Sequence, residues 1–396
     1  MKQSADVINN IVSVLQASLP TDKDFIVLHE PSFQGNEWNY VKDCLDTGWV
    51  SSVGKYVDRF EEMLQEYTGV KRAVAVVNGT AALHICLKLV GVERNDEVLL
   101  PALTFIATAN AISYCEAVPH FVDSCYKTLG LDPIKLGNYL HDIAEVKNGA
   151  CYNKVTGRRI RAVVPMHTFG HPVDLDTLVE VCERFKLELI EDAAESLGSY
   201  YKGRHTGNWG CVSALSFNGN KIATTGGGGA ILTNDESLGR LAKHLTTTAK
   251  IPHRWEFMHD HVGYNYRLPN LNAALGCAQM EKLPRFLEEK RALASVYQRT
   301  FSEIDEVSFF TEPDFATSNY WLNVIRLSTE WKHLRDEILQ VTNDRGLMTR
   351  PVWKLLCDLP IYAYAPKMDL SVARELEKTI INIPSSSFLG APYAKA

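Results

Sequence analysis

The sequence predicts an α/β fold: a mostly parallel sheet with helices on both faces, followed by a smaller α+β unit. Three observations carry this. Short β-branched runs alternate with helix-period segments through the first two thirds of the chain. The alternation stops near Leu268, where a long helical stretch begins. With 396 residues, 46% hydrophobic and 22% charged, the chain is long enough for two units and apolar enough to bury a core.

The elements follow in order. In "DVINNIVSVLQASLP", Val7, Ile8, Ile11, Val12 and Leu15 share one helical face. Asn9, Asn10 and Gln16 interrupt any signal-peptide core, so residues 1–24 are expected to form a docking helix retained on the mature protein. "GKYVDRFEEMLQEYTG" sets Val57, Phe60, Met63, Leu64 and Tyr67 at helical spacing. "RAVAVV" is a strand ending in "NGT", and "AALHICLKLVG" a helix closed by Gly91. "EVLLP" and "VPHFVD" read as strands on either side of a helix in "TFIATANAISYC". "RAVVPMH", a helix from Asp174 to about Lys186, and "LELIEDAAE" continue the rhythm, and "SALSF" and "GAILTN" bracket a glycine loop. Residues 25–267 are thus expected to form the large unit and 268–396 the small one. In the latter, "LNAALGCAQMEKLPRFLEEKRALASVYQRTF" is helical with a kink expected at Pro284. "NYWLNVIRLS", a helix near 332–345 and "GLMTRPVW" complete an α+β pattern.

A net charge of −6 argues against a nucleic-acid surface, which needs a basic stripe. No apolar run reaches bilayer length. The nine cysteines are scattered, form no C-x-x-C pair and sit partly in apolar runs such as "ALHICLKLV". They read as small buried hydrophobes in a reducing, cytoplasmic compartment, with no metal site expected.

The loop "SFNGNKIATTGGGGAILTN" holds Lys221 ahead of four glycines. A P-loop needs the glycines first and a helix after, so that reading fails on order. A Schiff-base lysine needs a cofactor aldehyde within reach, and glycines allow close backbone approach. If the cofactor is pyridoxal phosphate, an anion site and a carboxylate for the ring nitrogen must also exist. "VNGTAALH" follows a strand and opens a helix, so the N–H groups of Gly79, Thr80 and Ala81 are expected to face a phosphate, with the Thr80 hydroxyl beside them. "LELIEDAAE" ends a buried strand in Glu191 and Asp192, where α/β folds bind ligands. Phe105 in "PALTFIATAN" is a candidate to cover the ring face.

These pieces, with "FVDSCYKTLGLDP", "PMHTFGHPVD", "EDAAESLGSYYKGRHTGNWG" and "RLPNLNAALGCAQMEKL" in one order, resemble the DegT/DnrJ/EryC1/StrS family of sugar aminotransferases. The resemblance implies a fold-type I, aspartate aminotransferase-like large domain with a seven-stranded, mostly parallel sheet. It implies pyridoxal 5'-phosphate as cofactor, Lys221 as the Schiff-base lysine and Asp192 as partner of the pyridine nitrogen. Glu195 stands where the family usually has glutamine against the ring hydroxyl. Ser216, Gly79 and Thr80 match phosphate ligands, and Asn265 matches an asparagine reaching in from a neighbouring subunit, which implies a homodimer with a shared site. Gly227 replaces the commoner glutamate of the glycine run. Lysine rather than histidine at 221 favours amino transfer over sugar dehydration. "LHEPSFQGNE", "GWVSSVGKYVDRFEE" and "ATTGGGGAILTND" resemble transaminases of legionaminic acid biosynthesis. That likeness implies L-glutamate as donor and a UDP-linked 4-keto-6-deoxy-2-acetamido hexose as acceptor. Trp49, Ser51, Ser52, His167, His261 and Arg267 are the candidate substrate contacts. The rival readings are a perosamine-type or 3-amino-sugar aminotransferase and a cofactor-binding regulatory relative without turnover.

Overall fold

A computed structural model describes residues 4–20 and 23–394. Of the expected N-terminal docking stretch, residues 1–3 and 21–22 lie outside the described residues. The central sheet follows a seven-strand path: β1 (Arg72–Val76), β2 (Glu97–Pro101), β3 (Val118–Val122), β4 (Arg159–Val163), β5 (Glu188–Asp192), β6 (Val212–Ser216) and β7 (Gly229–Thr233). Their order across the sheet is β1-β7-β6-β5-β4-β2-β3. Adjacent pairs from β6 to β3 are parallel, and β7 runs antiparallel to both its neighbours. A hairpin of Ala144–Lys147 and Ala150–Asn153 extends the sheet beside β4.

The strands read as nearly unbroken apolar runs because helices cover both faces of a parallel sheet. Every residue of β2 and β7 is buried. Helix Lys55–Thr68 buries Val57, Phe60 and Leu64 against this core, the face its spacing predicts. Helix Leu175–Phe185 starts at Asp174, whose carboxylate accepts from Thr177 N–H, and ends at Lys186 in a left-handed conformation.

A second, antiparallel sheet orders Val307–Phe309, Asn323–Leu327, Ile380–Ile383 and Arg350–Pro351. Helix Ser4–Ala17 packs its apolar face on this sheet and on Leu293 and Tyr297 of the long helix Asn270–Phe301. The long helix continues through Pro284 for 32 residues. The proline removes one N–H, but burial of Met280, Leu283 and Phe286 on one side holds the segment helical. Helix Ser371–Thr379 and strand Ile380–Ile383 were not visible in the sequence pattern; the strand is only four residues long and directly abuts the helix.

The β6–β7 reversal positions the glycine loop. β1, β5 and β6 point the same way, so their carboxyl ends share one edge of the sheet. Because β7 returns antiparallel beside β6, the intervening loop stays at that edge instead of crossing the sheet. Gly229, the first residue of β7, passes hard against the turn after β1. A Cβ there would lie 2.5 Å from the Asn78 carbonyl and 2.7 Å from Gly79 N. Gly229→Ala is expected to destabilise the protein by about 1–3 kcal/mol through this backbone clash, read as a lower urea midpoint.

Candidate active site

The loop from Phe217 to Gly228 folds over the sheet edge and turns Lys221 inward. Its carbonyls and hydroxyls are closed on themselves: Thr224 and Thr225 hydroxyls both donate to the Phe217 carbonyl, at 3.2 and 3.5 Å. Lys221 lines a cavity of about 340 Å3 together with Gly79, Thr80, Phe105, Asp192, Glu195 and Ser216. That volume lies at the low end of the range for small-molecule sites. Seven sequence-predicted residues from four separate segments therefore meet in one place.

Lys221 Nζ sits 3.2 Å from Glu195 Oε1 and 3.7 Å from the centroid of the Trp321 ring. The second Glu195 oxygen accepts the Phe169 N–H at 2.9 Å. Burial pushes the Glu195 carboxyl above its ordinary pKa, against the opposing pull of Lys221 and that N–H. Asp192, at the end of β5, is likewise raised by burial, opposed by the Thr108 hydroxyl at 2.6 Å, the Ala194 N–H and Lys221. Each buried carboxylate favours either a proton or a cationic partner in the cavity.

At the opposite end, helix Gly79–Leu89 opens toward the cavity. Ala81 does not offer its N–H to a ligand, as the sequence suggested, because the Asn78 side chain caps it at 2.8 Å. Among the hydrogen bonds of the described residues none uses Gly79 or Thr80 N–H, which leaves these two donors at a positive helix terminus. A Cβ at Gly79 would meet Ser216 Cβ at 3.0 Å, so the glycine lets the serine close the cradle. Free N–H donors at one end, a buried carboxylate at the other and an amine between them fit pyridoxal phosphate: its phosphate, its protonated ring nitrogen and its aldehyde.

The remaining candidates lie elsewhere. His167 is fully buried away from the cavity wall, with Nε2 3.0 Å from Glu191 and Nδ1 accepting the Val173 N–H at 3.3 Å. The expectation that it faces substrate is corrected by this packing: both ring nitrogens are engaged inside the protein. His261 pairs with Asp260 on the surface, next to His244. Trp49 and Ser52 line two adjoining surface depressions away from the Lys221 cavity, Ser52 sharing one with Arg267. The Ser51 carbonyl accepts the Asn270 N–H at 2.7 Å. Asn265 does not line the cavity of its own chain, and its side chain accepts the Arg267 Nε–H at 3.0 Å.

Trp321, Trp353, Asn220 and Thr108 were not singled out from sequence, yet they border or support the cavity. Thr108 had a usable signal, since it is a polar residue in the first turn of the helix that Phe105 opens. The tryptophans had none: they reach the cavity from around the second sheet, and their local pattern reads as core.

Comparison with known proteins agrees with this geometry. The profile of the DegT/DnrJ/EryC1/StrS aminotransferase family matches residues 31–392. A GDP-perosamine synthase of Caulobacter vibrioides is 35% identical over 372 residues, covering 93% of this chain and 95% of the relative. The putative pyridoxal phosphate-dependent aminotransferase EpsN of Bacillus subtilis is 36% identical, covering 91% of each. Among solved structures, the aminotransferase TlmJ of Streptoalloteichus hindustanus superposes with a TM-score of 0.83 at 27% identity, over 93% of this chain and 96% of that one. From the sheet order, the lysine-bearing loop and these matches together, the chain belongs to the DegT/DnrJ/EryC1/StrS aminotransferase family and is a pyridoxal-phosphate-dependent sugar aminotransferase.

Proposed function

We propose that the chain moves an amino group from L-glutamate to a nucleotide-linked 4-keto-6-deoxy sugar, with Lys221 as the reactive amine. The observation that carries this reading is the convergence of Lys221, Asp192, Glu195 and the Gly79 helix start on one cavity. Pyridoxal phosphate, when bound, supplies an electron sink that stabilises negative charge on a substrate carbon. Asp192 keeps the proton on the ring nitrogen, a role suited to a buried carboxylate whose contacts in the described residues are the Thr108 hydroxyl and the Ala194 N–H rather than an ion pair. Gly79 and Thr80 N–H groups with the Ser216 and Thr80 hydroxyls hold the phosphate, and Phe105 covers the ring. Lys221 Nζ anchors the cofactor at rest, then takes the α-proton of the donor and delivers it back as general base and general acid.

Glu195 in place of the family's usual glutamine has a physical account in this reading. A glutamate must be protonated to donate to the ring hydroxyl, and burial favours that form. When ionised it instead pairs with the Lys221 ammonium.

The acceptor in this reading is a UDP-linked 2-acetamido-2,6-dideoxy-4-keto hexose, supported by the segments around Trp49 and Gly226. A GDP-linked 4-keto sugar is the second reading, favoured by the GDP-perosamine synthases of Caulobacter vibrioides, Escherichia coli O157:H7 and Vibrio cholerae at 33–36% identity. We read the active unit as a homodimer in which Asn265 of a second copy completes the phosphate site. Its support is the exposure of Trp255, Phe257 and Val262 just before Asn265, at 68%, 78% and 85%. Nine cysteines with no disulfide among the described residues support a cytoplasmic setting.

The purified protein should be yellow, and glutamate should bleach it. Restoration of colour by the UDP-linked but not the GDP-linked keto sugar selects the first acceptor, and the reverse selects the second. Lys221→Ala is expected to abolish turnover and colour, and substantial activity in this variant would end the assignment. Asp192→Asn should slow turnover by roughly two orders of magnitude or more with the fold retained by circular dichroism. For the cofactor-free protein, the raised Glu195 pKa has a definite sign. The native state binds the extra proton between the unfolded and folded pKa values, so Glu195 contributes stability at low pH that is lost as pH rises past the ordinary carboxylate range. Melting temperatures of Glu195→Gln should therefore fall less steeply than those of the parent over that rise.

A further inference from the structure

A second cavity of about 470 Å3 lies beside the one that holds Lys221. The two share Asn220, Trp321 and Trp353 as wall residues. Asn220 directly precedes Lys221, and its carbonyl accepts the Trp321 indole N–H at 2.8 Å. A group bound in the second cavity is thus separated from the Lys221 loop by single side chains.

The walls of this cavity are cationic: Arg335, Arg350 and Lys354 face one carboxylate, Glu377. Two of the cations are engaged. Arg335 holds Asp336 and the Glu377 carbonyl oxygen, and Lys354 sits 3.3 Å from Glu377 Oε1. The Arg350 guanidinium has no ion-pair, hydrogen-bond or ring partner among the described residues. Directly across the second sheet, in register with Arg350, stands Asn382. Cross-strand partners project on the same face. Asn382 is 4% exposed, yet its Oδ1 has no donor, and its Nδ2 reaches only the Pro351 carbonyl at 3.5 Å. A buried amide oxygen without a donor is costly, and this one lines the same cavity as the free guanidinium.

We propose that this cavity is an anion subsite for substrate. Arg350 takes the oxygens of a carboxylate or phosphate, and Asn382 Oδ1 accepts an N–H or O–H next to that anion. The planar guanidinium suits either oxyanion. The proposal rests on the reading of the Lys221 cavity as the reaction centre, since both substrates of that reaction carry such groups: carboxylates on the amino donor, a diphosphate on the sugar nucleotide.

Calorimetric titration of the cofactor-loaded protein with glutarate, and separately with inorganic pyrophosphate, tests it. At least one should bind the parent, and Arg350→Ala should weaken that binding by about tenfold or more, with partial recovery in Arg350→Lys. Weakening confined to glutarate assigns the carboxylate, and weakening confined to pyrophosphate assigns the phosphate. Arg350 is exposed on a two-residue strand, so the variant is expected to keep the parent melting temperature. The proposal is overturned if neither anion binds the parent, or if Arg350→Ala binds both as tightly. Bleaching of the parent by glutamate reports on the amino-transfer reading separately, so either can fail alone.

Discussion

The site is anchored on a fully buried charge, Glu191. Its two oxygens accept from His167 Nε2 at 3.0 Å and from three backbone N–H groups, Gly207 at 2.8 Å and Trp209 and Gly210 at 2.7 Å each. Burial alone would raise this carboxyl, but the His167 contact and the backbone donors hold it below its ordinary pKa. Removing one partner from such a buried charge typically costs about 3–5 kcal/mol. Glu191 thereby ties the segment after β5 back onto the end of that strand. Strand alternation then sends its neighbour Asp192 to the other side, into the cavity. One residue of the pair fixes the backbone and the other lines the cavity.

Glu195 is held by a second set of constraints drawn from distant segments. Phe169 sits at φ 56°, a left-handed conformation that costs a non-glycine residue roughly 1–2 kcal/mol, and its N–H donates to Glu195. Its ring stacks on Trp353 at 5.0 Å, which offsets part of that strain. Asn319 binds the carbonyls of Glu195 and Leu197, each at 2.9 Å, so the turn carrying Glu195 cannot drift from the Lys221 amine. Gly170 makes room for that clamp, because a Cβ there would lie 1.8 Å from Asn319 Oδ1.

The two sheets divide the work around this centre. The parallel sheet supplies the helix start, the carboxylates and the lysine loop. Segments next to the antiparallel sheet supply the aromatic wall. Trp321 is fixed by its indole bond to Asn220 and by Lys290, a buried amine that donates to the Trp321 and Ser385 carbonyls and whose pKa burial lowers to about 7. The position of the Trp321 ring over Lys221 thus follows from packing in the second layer.

Most strands and several helices of the large unit, their buried faces, and Lys221, Asp192 and the Gly79 helix start as candidates were legible in the chain before it was folded. Helical period, strand runs and strand-to-helix turns are local properties, and the order of motifs along the chain is a strong signal. Other features arose only on assembly. The antiparallel return of β7, the diversion of His167 to Glu191 and the facing of Arg350 with Asn382 are not encoded in local periodicity. They pair groups far apart in sequence, and a buried polar group takes whichever donor or acceptor the packed fold brings within about 3 Å. Local pattern states that such a group needs a partner; only the assembled sheets determine which partner it meets.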